Sequence, residues 1–162
     1  MSVGKLLMSF CQWASHSWFG HGVRDSVWLF PFVEICHLLA LGVLGGTILI
    51  VNLRLLGLRF RAEPVAELAK DVRPWTIGSL CVMLVSGFFL FSSEAVKMYG
   101  NPAFRSKMVF LVLAVAFTFT IHRKVAMSEE TEVSPLGRRA AALVSLLLWA
   151  GVGLSGRLIG YV

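Results

Sequence analysis

Long runs of apolar residues alternate with short polar segments along the chain, and this pattern predicts its main elements. Four runs, at about residues 27–51, 75–96, 104–121 and 140–161, contain few charges. Because a helix crosses the ~30 Å hydrocarbon layer of a membrane in ~20 apolar residues, each run is a candidate transmembrane helix. The pattern predicts an all-α, integral membrane four-helix bundle of up-down topology, in a single domain over residues 1–162.

Two further helices are expected outside these spans. Residues 3–19 carry bulky apolar side chains roughly on one stripe, which predicts an amphipathic helix lying in the membrane interface. These side chains are Leu6, Leu7, Phe10, Trp13 and Trp18. Pro64 opens the segment Pro-Val-Ala-Glu-Leu-Ala-Lys, and a proline at a helix start predicts a short interfacial helix before the second span.

Composition supports the membrane class. Apolar residues make up 57% of the chain and charged residues 15%, whereas soluble domains are roughly a quarter charged. The net charge of +6 does not indicate a nucleic-acid partner here, because the basic residues cluster at the ends of the apolar runs, where they orient a membrane protein. The expected partner is the lipid bilayer. Cys11, Cys36 and Cys81 lack metal-ligand spacing and are interpreted as structural thiols.

The distribution of basic residues predicts the orientation. The segments after the first and third runs hold nine lysines and arginines, and the opposite side holds six. The positive-inside rule then places both termini outside, in a multi-pass protein of the bacterial inner membrane.

The candidate site is a set of ionisable residues inside the spans. His37 lies ~3 Å to the outer side of the first span's midpoint, and Glu34 lies one turn earlier on the same face. An ionisable group at this depth costs about 2.5 kcal/mol or more and marks a functional site by default. Glu94, Lys107 and Arg157 come out ~8–13 Å to the same side, which predicts an internal polar layer. Such a layer either neutralises charge between helices or forms a vestibule for a carboxylate or haem propionate.

His122 is predicted to lie elsewhere, ~14 Å to the inner side and near the level of Asn52. Its axial separation from His37 is ~17 Å, which is too far for both histidines to ligate one iron. An interfacial residue bound to headgroups or to a neighbouring helix is the simpler interpretation of His122.

Glycines suggest where a planar group would fit. Gly87 and Gly153 fall near the depth of His37 and would leave a slot for a porphyrin. Close helix packing is the better explanation for most of these glycines, because Gly42–Gly46 and Gly156–Gly160 both have the small-xxx-small spacing of a helix–helix contact.

Several strings resemble a family of small bacterial membrane proteins of unknown function. They are Trp28-Leu-Phe-Pro-Phe-Val-Glu-Ile-Cys-His37, Asn52-Leu-Arg-Leu-Leu-Gly57, Leu90-Phe-Ser-Ser-Glu-Ala95, Asn101-Pro-Ala-Phe-Arg-Ser-Lys107 and Phe119-Thr-Ile-His122. More distantly, the His37 and Lys107-to-His122 segments resemble the copper-resistance D proteins and the membrane protoporphyrinogen oxidases. That second resemblance implies that His37 ligates a b-type haem.

Two functional hypotheses follow, and neither settles whether the protein is an enzyme. In the first, the protein is a haem- or quinone-linked redox protein in which His37 is the iron ligand, Glu34 supports it, and Lys107 and Arg157 meet the propionates. In the second, it is a cofactor-free binding or assembly subunit, or a transport accessory protein, that forms a homo-oligomer or joins a larger membrane complex. A proton- or metal-coupled transporter is a weaker third reading, since four spans would need oligomerisation.

Overall fold

The computed structural model describes residues 3–59, 64–128 and 133–161. The elements in these ranges are helices, and four of them are long and apolar enough to cross a membrane. In chain order the helices are α1 (Val3–His16), α2 (Trp18–Asp25), α3 (Leu29–Leu55), α4 (Val65–Ser93), α5 (Ala95–Gly100), α6 (Pro102–Phe117), a π-helical turn (Thr118–His122), α7 (Arg123–Met127) and α8 (Pro135–Leu158). We call α6, the π turn and α7 together the third span (Pro102–Met127).

The four spanning helices alternate in direction. α3 packs mainly on α4, the third span packs mainly on α8, and α3 also contacts α8. The prediction of an all-α four-helix membrane bundle is therefore confirmed. We call the end formed by the starts of α3 and the third span the His37 end, and the opposite end the basic end.

The second spanning helix is longer than its apolar run. Pro64 precedes the first residue of α4, and the helix continues without a break to Ser93. The separate interfacial helix expected from Pro64 is therefore wrong: that segment forms the first turns of α4. Pro74 lies inside α4, where it removes one backbone donor. Lys70 and Arg73, expected in a linker, instead lie on the spanning helix.

The N-terminal segment forms two helices rather than one. α1 turns its small residues inward, because Cys11 and Ala14 are buried against Ala95 of α5. Burial raises the pKa of the Cys11 thiol. The bulky stripe predicted for this segment is exposed on the opposite face, with Trp13 59% and Trp18 85% accessible. This amphipathic arrangement is the one expected of a helix that lies along a membrane surface.

The core of the bundle is apolar and lies in two clusters. Ala40, Leu44, Ile48, Leu80 and Met83 fill the middle between α3 and α4. A second cluster, formed by Val51, Leu55, Val65, Ala126 and Ala142, closes the basic end. The two polar sites described next lie on opposite sides of the first cluster.

Candidate functional site

His37 lies on α3 about two turns from the start of the helix, and it is half-buried against α4. Its Nδ1 is 2.8 Å from the Oγ of Ser86. The Ser86 hydroxyl also lies 2.6 Å from the backbone carbonyl of Val82, and when it donates there its oxygen is free to accept a hydrogen from Nδ1 of His37. In that arrangement the proton of a neutral imidazole lies on Nδ1, and Nε2 keeps its lone pair. The ring also interacts with the backbone of Met83, one turn earlier on α4.

Gly87, the next residue on α4, lies directly against the imidazole. A Cβ added at this position would be 3.2 Å from Cε1 of His37, closer than ordinary van der Waals contact. A larger residue would push the ring away from Ser86. The space that Gly87 provides is therefore taken by the imidazole itself, whereas Gly153 is exposed and has open space around it. The slot for a porphyrin expected at these two glycines stays a prediction.

Lys107 of the third span is the charged residue that the structure brings near His37. It is half-buried, and its charge is close enough to act on the imidazole. Its side chain packs over Gly156 of α8, where an added Cβ would lie 3.6 Å from Nζ. No carboxylate in the described ranges forms a salt bridge with Lys107. An ammonium held inside a bundle without a counter-ion marks a place where an anionic group would be stabilised.

The other members of the predicted polar layer do not gather around His37. Glu34 is exposed on α3, although it lies one turn before the half-buried His37. Glu94 follows the last residue of α4 and pairs with Lys97 at 3.2 Å. Arg157 is exposed near the end of α8, and its guanidinium donates to the Tyr161 hydroxyl at 3.3 Å. The layer thus reduces to His37 and Lys107.

His122 belongs to a second polar site near the basic end. Its Nε2 donates to Oδ1 of Asn52 at 2.9 Å, and Nδ2 of Asn52 donates to Oγ of Ser145 on α8 at 3.1 Å. Asn52 and Ser145 are almost completely buried. This chain of bonds joins three spanning helices. A buried network of this kind stabilises helix association because unpaired polar groups are costly in an apolar interior.

The π turn accounts for the position of His122. The backbone N–H of Arg123 bonds to the carbonyl of Thr118, five residues earlier, so the turn holds one more residue than an α-helical turn. The indole of Trp149 on α8 donates to Oγ1 of Thr118 at 3.0 Å and fixes the start of this turn. Asn52 follows His37 by fifteen residues on α3, so the two histidines lie ~22 Å apart along the bundle, about one helical turn more than the ~17 Å predicted from depth and likewise too far to share one iron.

Sequence reasoning missed Ser86 and Ser145. Each is a small residue in an apolar run, and its role depends on the rotation of its helix toward a partner. The signal available for Ser86 was its position beside Gly87 at the depth of His37.

The described residues contain no cluster of three or more His, Cys, Asp or Glu side chains that would hold a metal ion by themselves. No curated protein and no solved structure matches the chain. The model of one family matches residues 10–162, which include every residue of both polar sites. The chain thus belongs to the family of unknown function DUF6644, as an integral membrane protein.

Proposed function

We propose that this protein binds haem b and works in electron transfer, with Nε2 of His37 as an axial ligand of the iron. The observation that carries the proposal is the 2.8 Å contact between Nδ1 of His37 and the Ser86 hydroxyl, because a proton held on Nδ1 leaves a lone pair on Nε2. Histidine ligands of metals usually donate their other ring nitrogen in this way, and the bond fixes their tautomer and orientation. One imidazole is sufficient for a haem, because the porphyrin supplies the remaining nitrogen ligands.

The surroundings of His37 support the proposal in two further respects. Gly87 lets the imidazole pack closely against α4, where it contacts Ser86. Lys107 offers a cation to a propionate, as Lys and Arg do for other carboxylates. Arg157 and Glu94 have partners of their own, and Glu34 is exposed. The proposal therefore rests on His37, Ser86, Gly87 and Lys107. The haem would supply a reversible one-electron couple.

The absorption spectrum of the protein purified from cells supplied with haem precursors tests the proposal. We expect a Soret band in the wild type, loss of that band in His37→Ala, and an unchanged band in His122→Ala, which alters the other buried histidine. Lys107→Gln is expected to lower the haem content. Size-exclusion profiles report whether each variant is folded. A folded wild type without a Soret band, or a band that survives His37→Ala unchanged, would contradict the proposal, and co-purified quinone would indicate a different redox group.

A second candidate function, assembly into a larger membrane complex, is favoured by the outward faces of the spans. In the third span 6% of the most apolar stretch is buried, against 22–33% in the other three. Gly42 and Gly46 are exposed on α3, with nothing within 4 Å of an added Cβ. They are therefore free to contact another helix. In this case Gly46→Leu lowers the mass of the assembly measured in detergent, Gly153→Leu on α8 serves as the exposed-glycine control, and His37→Ala leaves the assembly intact.

A further inference from the structure

A cavity of about 320 Å³ opens near the basic end, between α3, α4 and the third span. This volume lies in the range of small-molecule sites, roughly 300–1,000 Å³. Its walls carry apolar side chains from all three elements, among them Ile48, Val51, Ile77 and Phe119. The π turn contributes directly, since Thr118, Phe119 and His122 all line the cavity. We call this space the basic-end cavity.

Several polar atoms in the walls are already engaged within the protein. Thr47 donates to the carbonyl of Leu44, and Thr76 donates to that of Val72. The Thr118 hydroxyl accepts from Trp149, and Nε2 of His122 is bonded to Asn52. Most of the remaining lining is apolar, so the interior is suited to hydrocarbon.

Three basic side chains also line the cavity. Lys70 and Arg73 are one turn apart on α4, and Arg123 follows the π turn on α7. All three are exposed, and none forms a salt bridge with a carboxylate of the described residues. Cations from two helices thus meet beside an apolar space. This combination is complementary to an amphiphile that has an anionic head and a hydrocarbon tail.

We propose that the basic-end cavity binds an anionic phospholipid of the adjacent leaflet. One acyl chain enters between α3 and the π turn, and the phosphate is held by Lys70, Arg73 and Arg123. A bilayer lipid is the favoured source because the cavity lies on spanning helices, near the ends where headgroups are found. This inference is independent of haem binding, which concerns the His37 end.

Native mass spectrometry of the detergent-purified protein tests whether the three cations bind the lipid headgroup. The probes are phosphatidylglycerol and phosphatidylcholine with identical acyl chains. We expect the wild type to retain phosphatidylglycerol preferentially, and Arg73→Gln/Arg123→Gln to weaken its binding about tenfold. The matched control is Lys124→Gln/Arg139→Gln, which removes the same charge from the same end of the bundle but lies outside the cavity. The control is expected to change binding by less than twofold.

A substitution that fills the cavity tests separately whether an acyl chain enters it. Ala69 lines the cavity and is half-buried, so Ala69→Phe occupies part of the space while leaving all three cations in place. We expect weaker phosphatidylglycerol binding in this variant at an unchanged melting temperature. If Ala69→Phe is unstable, Thr76→Leu provides a second filling variant. Equal binding of the two lipids, equal loss in both charge variants, or full competition by soluble glycerol phosphate would each overturn the proposal.

Discussion

At the scale of single residues, the two histidines inside the bundle differ in how their ring nitrogens are used. Nε2 of His122 donates to Asn52, which donates to Ser145, so its network joins three spanning helices. Nδ1 of His37 contacts the Ser86 hydroxyl, whose other contact is with a carbonyl of its own helix. This difference is the reason for assigning chemistry to His37 and helix association to His122.

The hydrogen bond between His37 and Ser86 is expected to contribute to the free energy of unfolding. Ser86→Ala removes the acceptor and is expected to lower the free energy of unfolding by about 1 kcal/mol. Ser79→Ala is a matched control on the same helix, because Ser79 is equally buried but donates only to carbonyls of α4 itself. Denaturant titration in detergent measures both variants. If the two serines cost the same, or if Ser86→Ala costs as much in a His37→Ala background as in the wild type, the bond contributes nothing.

At the residue scale, the sequence was sufficient to predict the depth of a residue in the bundle, because depth depends only on position along a helix. Depth alone separated His37 from His122 and placed His122 near Asn52. Depth did not identify which side chains face the bundle, so Glu34, Glu94 and Arg157 were assigned to a layer that they do not form. The directions of these three side chains depend on how each helix is rotated and on where α4 ends. The pattern of apolar residues does not determine either property.

At the scale of elements, the π turn is the feature that could not be predicted from the sequence. Residues 104–121 form an uninterrupted apolar run apart from Arg105 and Lys107, and nothing in this run indicates a change of helical pitch. The turn is stabilised by tertiary contacts, from Trp149 to Thr118 and from His122 to Asn52. The presence of the third spanning helix was therefore predictable, whereas the extra residue in its π turn was not.

Because a π turn contains one extra residue, it predicts an asymmetric response to deletion. Removal of Thr120, an exposed residue of the turn, lets the chain close as an α-helix with its flanks in their original directions. Removal of Val112, an exposed residue of α6, rotates everything after it by about 100° and turns His122 away from Asn52. We expect the Thr120 deletion to retain most of the thermal stability and the Val112 deletion to lose it. Melting curves that fall equally would argue against this account.

At the scale of the whole molecule, the charge distribution predicts the orientation in the membrane. The segments at the basic end carry nine of the fifteen lysines and arginines. We therefore expect both termini to lie outside. An alkaline phosphatase fusion, which is active only outside the cytoplasm, is expected to be active after Val162 and inactive after Glu130. The reverse pattern would place the basic end outside.

The apolar cluster between the two sites has a consequence for exchange with the surroundings. Ala40, Leu44, Leu80 and Met83 close the bundle between His37 and Asn52, and the nearby hydroxyls of Thr47 and Ser79 are bonded to their own helices. Among the described residues, the hydrogen bonds of these hydroxyls do not cross the apolar layer. We therefore expect a proton that reaches His37 to exchange with the compartment at the His37 end, and not to pass along side chains to Asn52.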